Sequence, residues 1–96
     1  MKLTFIIHYA RGPAWVEGKS VFEQPLQEHL AYMNGLKAQK KLLLGGPFTD
    51  DTGGLIVVDA ASAQEARSMA DADPAVAAGV MVAAAHPWLL MAGALA

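Results

Sequence analysis

The chain has 96 residues, of which 54% are hydrophobic and none is cysteine, and its formal net charge is -2. This length suits one domain, 1–96, with a modest core. The slightly acidic balance argues against a nucleic-acid partner, which needs a basic face, and the lack of cysteine excludes disulfides and thiolate chemistry. The N-terminus has no signal-peptide pattern, so we expect a cytoplasmic protein.

One long uncharged stretch needs an explanation other than a membrane span. From Ala75 to Ala96 the chain carries no formally charged residue, and that length is enough to cross a bilayer. Much of the stretch is alanine and glycine, however, and His86-Pro87 interrupts it. We therefore interpret it as a strand followed by a C-terminal tail, and we expect no membrane partner.

The first predicted element is a β-strand over 2–9, a segment rich in β-branched and aromatic residues. Side chains alternate between the faces of a strand, so Phe5, Ile7 and Tyr9 share one face. The strand is broken by the loop that begins at Arg11-Gly12-Pro13.

The first helix is predicted to begin irregularly. Ser20 and Glu23 have the spacing of a capping box, but Pro25 would disrupt a helix that began there. We expect an irregular first turn and a regular helix from about Pro25. His29 falls within the apolar stripe of that helix, so it faces the sheet or the rim of the core rather than water.

The next predicted elements are two buried strands, at 42–46 and 55–58, with turn residues between them. Ser62 and Glu65 form a second capping box, which predicts a helix that reaches about residue 70.

Asp73 and Pro74 open a short alanine-rich turn. Proline at the first helical position lacks only an N–H group that would be unpaired anyway, so Asp73 suits the N-cap position. Gly79 provides a left-handed stop, and 80–85 follows as a buried strand. The structural interpretation of Asp73 is therefore a helix cap.

The element order is β-α-β-β-α-β, which predicts the α+β ferredoxin-like sandwich. In this fold the four antiparallel strands have the order 4-1-3-2, and both helices lie on one face. The start of the first helix and the end of the second then lie at the same end of the sheet. We therefore expect His29 and Asp73 to be neighbours, with His86 at the opposite end.

The predicted strands are apolar on both faces, as Val57 and Val58 illustrate in one strand. Two helices can cover only one face of a four-stranded sheet. The sequence therefore predicts a homodimer that forms through the open sheet face.

A histidine held by a carboxylate is a common device for general acid/base catalysis. The alternatives are that His29 is a partly buried structural histidine, that Asp73 is only a cap, or that Asp71 is the residue that holds His29. The three histidines of the chain lack metal-ligand spacing, so we expect no metal site, and no cofactor motif is present. Gly45-Gly46-Pro47 has no phosphate-loop lysine and suggests a tight backbone passage that lines a pocket.

Three segments carry a family resemblance: Glu28-His29-Leu30, the run LLLGGP at 42–47, and the run from Ala70 to Trp88. The last is the most specific, because it joins Ala-Asp-Ala-Asp-Pro to a strand that ends in Pro87-Trp88. The chain resembles the YCII-related family, small bacterial proteins with a dimeric ferredoxin-like fold. The resemblance covers nearly the whole chain after the first loop.

This resemblance implies an active site centred on a histidine and an aspartate, which correspond to His29 and Asp73. The chain departs from the family where Ala75 replaces the usual aromatic residue after Asp-Pro, and we expect this change to open the pocket. The candidate ligand contacts are Tyr9, Gly46, Pro47, Asp71 and Ala75.

Two functions follow from these observations. The first is a small homodimeric enzyme of the lyase or isomerase type, in which His29 and Asp73 transfer protons on a small organic molecule, ring compounds included. The alternative is a non-catalytic dimeric module that binds a small ligand or a partner in the same cleft.

Overall fold

The computed structural model describes residues 2–96, with side chains from Leu3 onward. The elements are β1 (Lys2–Arg11), a 3₁₀ turn (Val21–Glu23), α1 (Gln27–Ala38), β2 (Leu42–Pro47), β3 (Gly53–Val58), α2 (Ala63–Asp71), α3 (Pro74–Ala77) and β4 (Met81–Leu90). The four strands form one antiparallel sheet in the order β2-β3-β1-β4, which is the predicted order read from the other edge. The ferredoxin-like prediction is confirmed.

The core lies between the helices and one face of the sheet. Phe5, Ile7 and Tyr9 are buried there, as the alternation along β1 predicts. α1 and α2 cover this face with apolar side chains, and burying such surface is the main force that holds the layers together. The helix residues in this core are Met33, Leu36, Ala66, Met69 and Ala70.

Both predicted helix starts are found. The 3₁₀ turn is the irregular first turn, where the Ser20 N–H donates to Glu23 Oε1 at 3.2 Å, and regular helix begins only at Gln27, after the proline. At α2 the Glu65 N–H donates to Ser62 Oγ at 3.1 Å. Local hydrogen bonds thus decide where each helix begins.

The last strand is longer than its residue pattern predicts. β4 does not stop at residue 85 but continues to Leu90, just beyond the Pro87-Trp88 end that the family resemblance implies, and Pro87 is in register with Phe5. β4 is an edge strand, and a proline without an N–H is tolerated there because the outward side needs no donor. The Thr4 hydroxyl donates to the Trp88 carbonyl at 2.9 Å, which holds the segment beyond the proline in the sheet.

The prediction that β2 is buried is also wrong for the single chain. β2 is the other edge strand, and its residues after Leu42 are exposed. The sheet face opposite the helices carries the side chains of Leu44, Val82 and Trp88, which are 45%, 50% and 42% exposed. No element among the described residues covers them. In residues 2–96 there is also no helix with the length and hydropathy that a bilayer crossing requires.

Candidate active site

Asp73 joins the second helix to the third and is fully buried. Its Oδ1 accepts a hydrogen bond from the Ala75 N–H at 2.9 Å, so the predicted N-cap exists. Its Oδ2 is turned towards α1 and the sheet. There it accepts hydrogen bonds from two side chains, the Tyr9 hydroxyl at 3.0 Å and His29 Nδ1 at 2.6 Å. One carboxylate therefore both caps α3 and holds the histidine.

His29 lies in the first turn of α1, with its side chain 13% exposed. The carboxylate of Asp73 can only accept, so Nδ1 carries the proton and a neutral ring keeps its lone pair on Nε2. Nε2 has no hydrogen-bond partner among residues 3–96 and is left to the cleft that His29 lines. The Tyr9 ring packs edge-on against the imidazole, with 5.5 Å between the ring centroids. The tautomer and orientation of the ring are thus both restrained.

Tyr9 supplies the second hydrogen bond to Asp73. Burial raises the pKa of Tyr9 well above its ordinary value, and the neighbouring Asp73 charge and hydrogen bond add to the rise. Burial, followed by the charge of Asp73, also raises the pKa of Tyr32, whose hydroxyl donates to the Met69 carbonyl at 2.8 Å. Tyr9 therefore stays protonated and remains a donor to Asp73 at neutral pH.

A cleft of about 450 Å³ opens beside His29. One set of its lining residues comes from the 3₁₀ turn and α1, and another from the β2–β3 hairpin, where glycines expose the backbone. Besides His29, its polar side chains are Tyr9, Gln24 and Gln27, and no Asp, Glu, Lys or Arg of the described chain lines it. The apolar lining residues are Val21, Phe22, Leu26, Leu30, Met33, Leu42, Pro47, Leu55, Ile56 and Met81.

The structure brings together some of the sequence-predicted site residues. Tyr9, Gly46 and Pro47 line the cleft with His29. Asp71 is not among the lining residues, since its exposed carboxylate accepts hydrogen bonds from Arg67 Nε and Nη2 at 3.1 and 2.6 Å. The partner of His29 is therefore Asp73, and the alternative with Asp71 is wrong.

Ala75 also lies outside the cleft lining. Its side chain is buried in the core, and its part in the site is the backbone N–H that Asp73 caps. The expectation that Ala75 opens the pocket is therefore not supported by its position. In the described chain no three His, Asp or Glu side chains converge as a metal site would need.

Phe22 and Leu30 form a wall of the cleft that the sequence pattern does not predict. Leu30 lies on the apolar stripe of α1, and the period of that stripe predicts a core-facing side chain, but Leu30 is 60% exposed at the cleft. Phe22 is 75% exposed on the 3₁₀ turn. Their exposure could not be predicted, because periodicity gives the direction of a side chain and not whether anything fills the space there.

Comparisons with known proteins place these features in context. The family model described as the YCII-related domain matches residues 3–88. The protein YjpA of Bacillus subtilis (strain 168) is 41% identical over an alignment of 68 residues, which covers 67% of this chain and 80% of YjpA. Among solved structures, the chain is similar to the 5-chloro-2-hydroxyhydroquinone dehydrochlorinase TftG from Burkholderia phenoliruptrix AC1100, in complex with 2,5-dihydroxybenzoquinone. The sequence identity is 28%, the TM-score is 0.70, and the match covers 92% of this chain and 94% of that chain.

Proposed function

The chain belongs to the YCII-related domain family, and from that premise and the geometry of its cleft we propose that it is an acid–base enzyme acting on a small, uncharged ring compound. The observation that carries the proposal is the 2.6 Å contact between His29 Nδ1 and Asp73 Oδ2, with Nε2 left to the cleft. A carboxylate that fixes the tautomer leaves a basic nitrogen aimed at the substrate.

In the proposed reaction, His29 Nε2 accepts a proton from a ring hydroxyl and returns it to the ring carbon that bears the leaving group, which gives a keto tautomer with a tetrahedral carbon. A second ring hydroxyl then loses its proton, its electron pair forms a carbonyl, the ring double bond shifts, and the leaving group departs from the tetrahedral carbon with its bonding pair. Asp73 stays ionised and stabilises the imidazolium that forms, as the carboxylate does in a catalytic triad. If no group leaves, returning the proton at a second position gives an isomerisation instead.

The lining of the cleft supports an uncharged substrate. A carboxylate or phosphate that entered it would lose hydration without meeting a cationic side chain among the described lining residues. A volume of about 450 Å³ lies within the range of small-molecule sites. The similar structure TftG is a dehydrochlorinase bound to 2,5-dihydroxybenzoquinone, and this favours elimination from a hydroxylated ring.

The proposal includes a homodimer formed through the open sheet face, and it retains the cytoplasmic location predicted from the sequence. The support for the dimer is the apolar surface opposite the helices, represented by Leu44, Val82 and Trp88. Contiguous exposed apolar surface marks an interaction site, and a second copy of the chain presents the matching surface.

The alternative is a non-catalytic module that binds a ligand in the same cleft. The observation that favours it is the hydrogen bond by which Asp73 caps α3, because this structural role explains the aspartate even if the protein catalyses no reaction. In that alternative, His29 is a structural histidine whose hydrogen bond to Asp73 only stabilises the fold, and the protein binds ring compounds without changing them.

Turnover separates the two candidates. A panel of chlorinated and unchlorinated di- and trihydroxybenzenes is incubated with the protein, and halide release and ultraviolet spectra are followed. The enzyme proposal expects turnover that falls about 10³-fold in His29→Gln, while ligand binding is retained. Glu28→Gln, an exposed neighbour on the same helix, is the matched control and should keep full activity. Binding without turnover across the panel would favour the module.

A further inference from the structure

The tip of the β2–β3 hairpin is tied to a distant part of the chain. Asp51, at this tip, accepts a hydrogen bond on Oδ1 from the Val21 N–H at 2.9 Å, across 30 positions of sequence. The Asp51 carbonyl also accepts from Arg11 Nε at 2.7 Å. One residue thus links the hairpin, the 3₁₀ turn and the end of β1.

The backbone of Asp51 is in the left-handed region, with a φ of 65°. Residues other than glycine seldom adopt this backbone conformation, and among them aspartate and asparagine tolerate it best. Glycine would remove the strain but would leave the Val21 N–H without its carboxylate partner. The position therefore requires a residue that is both tolerant of a positive φ and able to accept.

The two segments that Asp51 joins both line the cleft. The 3₁₀ turn contributes Val21 and Phe22, while the hairpin contributes Gly46, Pro47 and the glycines that follow the tip. The turn is short, and its other side-chain hydrogen bonds among the described residues are local ones between Ser20 and Glu23 and between the Gln24 amide and residues 16 and 19. Asp51 is therefore the side-chain link from this turn to the sheet.

We propose that Asp51 is a positioning residue for the cleft, which sets where Val21 and Phe22 stand relative to the hairpin and thereby controls the affinity for the ligand. Asp51 does not contact His29 or Asp73, so its effect falls on binding and not on proton transfer. The proposal rests on the proposed function in one respect only, the ring compound used as the probe.

Two substitutions isolate the hydrogen bond from the backbone conformation. Asp51→Asn keeps an acceptor and tolerates the positive φ, whereas Asp51→Gly removes the acceptor without adding strain. Amide exchange of Val21, NMR titration with 1,4-dihydroxybenzene, an uncharged member of the panel, and the ring nitrogen shifts of His29 are measured in both variants and in the wild type.

We expect Asp51→Asn to behave as the wild type. In Asp51→Gly the Val21 amide should exchange about tenfold faster and the probe should bind about fivefold more weakly, the scale of one lost hydrogen bond. The His29 shifts should be unchanged, and with a substrate that is turned over KM should rise while kcat is kept. If Asp51→Gly matches the wild type in Val21 exchange or in probe affinity, the positioning role is overturned. If the wild type does not bind the probe, the proposed class of ring compound fails, and the role of Asp51 is tested without a ligand. The Val21 exchange rate and the Phe22 ring shifts should then differ between Asp51→Gly and the wild type, and equal values would overturn the positioning role.

Discussion

At the scale of single residues, the site depends on the different hydrogen bonds that the two carboxylate oxygens of Asp73 accept. Oδ1 is committed to the Ala75 N–H, so the carboxyl group cannot rotate to offer that oxygen to His29. Oδ2 then meets two donors, Tyr9 and His29. The backbone cap therefore determines which atom of Asp73 faces the imidazole.

This arrangement predicts an unusual outcome for Asp73→Asn. The amide oxygen has to stay on the Ala75 N–H, so the NH₂ group faces His29 and forces Nδ1 to become the acceptor. The proton then moves to Nε2, and the base on the cleft side is lost, as in the wrong-tautomer variant of a catalytic triad. Turnover should fall about 10³-fold or more. Nitrogen-15 NMR of the ring should show Nε2 protonated, and an unchanged tautomer would contradict the proposed mechanism.

Stability distinguishes this variant from Asp73→Ala. Asparagine caps a helix about as well as aspartate, but its NH₂ group leaves the buried Tyr9 hydroxyl without an acceptor, so Asp73→Asn should lower the free energy of unfolding by about 1–2 kcal/mol. Alanine removes the cap and leaves the buried Tyr9 and His29 donors without an acceptor, which should lower the free energy of unfolding by about 2–4 kcal/mol. Thermal and urea unfolding of the two variants measure the difference.

The buried tyrosine hydroxyl predicts a dependence of stability on alkaline pH. The pKa of Tyr9 is raised in the folded protein, so the folded state holds this proton where the unfolded chain releases it, above about pH 10. The free energy of unfolding should be unaffected by Tyr9 ionisation below that pH and should fall as the pH rises further. Urea unfolding from neutral to alkaline pH should show a shallower fall in Tyr9→Phe than in the wild type. Equal slopes would contradict the prediction, and Tyr32→Phe separates the smaller effect of the other tyrosine.

At the scale of secondary structure, the sequence predicts best where local chemistry decides. The capping residues Ser62 and Asp73 mark helix starts that the structure contains, and the topology then brings His29 to Asp73. The residue pattern did not predict the extent of β4 through Pro87 or the exposure of β2, although the predicted order 4-1-3-2 already places both strands at the sheet edges. An edge position changes what a strand tolerates without changing its periodicity.

The unpredicted part of the site has a similar cause. The link from Asp51 to Val21 depends on the conformation of a hairpin tip, and no spacing in the sequence reports it. Tyr9 was expected to contact the ligand, and it does line the cleft, but its hydroxyl is directed to Asp73. The sequence pattern places the element correctly but does not predict the direction in which the Tyr9 side chain points.

The hairpin glycines allow a matched test at this scale. A Cβ at Gly54 would lie 2.9 Å from the Gly46 carbonyl oxygen, a backbone atom that moves only if β2 shifts. A Cβ at Gly46 would meet no atom within 4 Å. Gly54→Ala should therefore lower the free energy of unfolding by about 1–3 kcal/mol, the usual cost of overpacking, whereas Gly46→Ala should change it by less than about 0.5 kcal/mol. Urea unfolding compares the two, and equal losses would show that the strand spacing is not the cause.

At the scale of the whole molecule, the open sheet face predicts self-association. Sedimentation at micromolar concentration should give about twice the 10.1 kDa chain mass. Val82→Glu places a charge on this face at a half-exposed position, so it should yield a folded monomer. Val16→Glu, at an exposed apolar residue of the first loop, is the control and should stay dimeric. A monomeric wild type would remove the dimer from the proposal.

The distance in sequence between His29 and Asp73 has a consequence for how the molecule assembles. The two residues are 44 positions apart, on helices from different halves of the chain. Neither half can form the pair alone, so during synthesis the imidazole acquires its partner only after the second half has emerged and folded back. A local opening of the short helix α3 would release the ring again while the sheet stays intact. The tautomer of one histidine thus reports whether the two halves of the chain have come together.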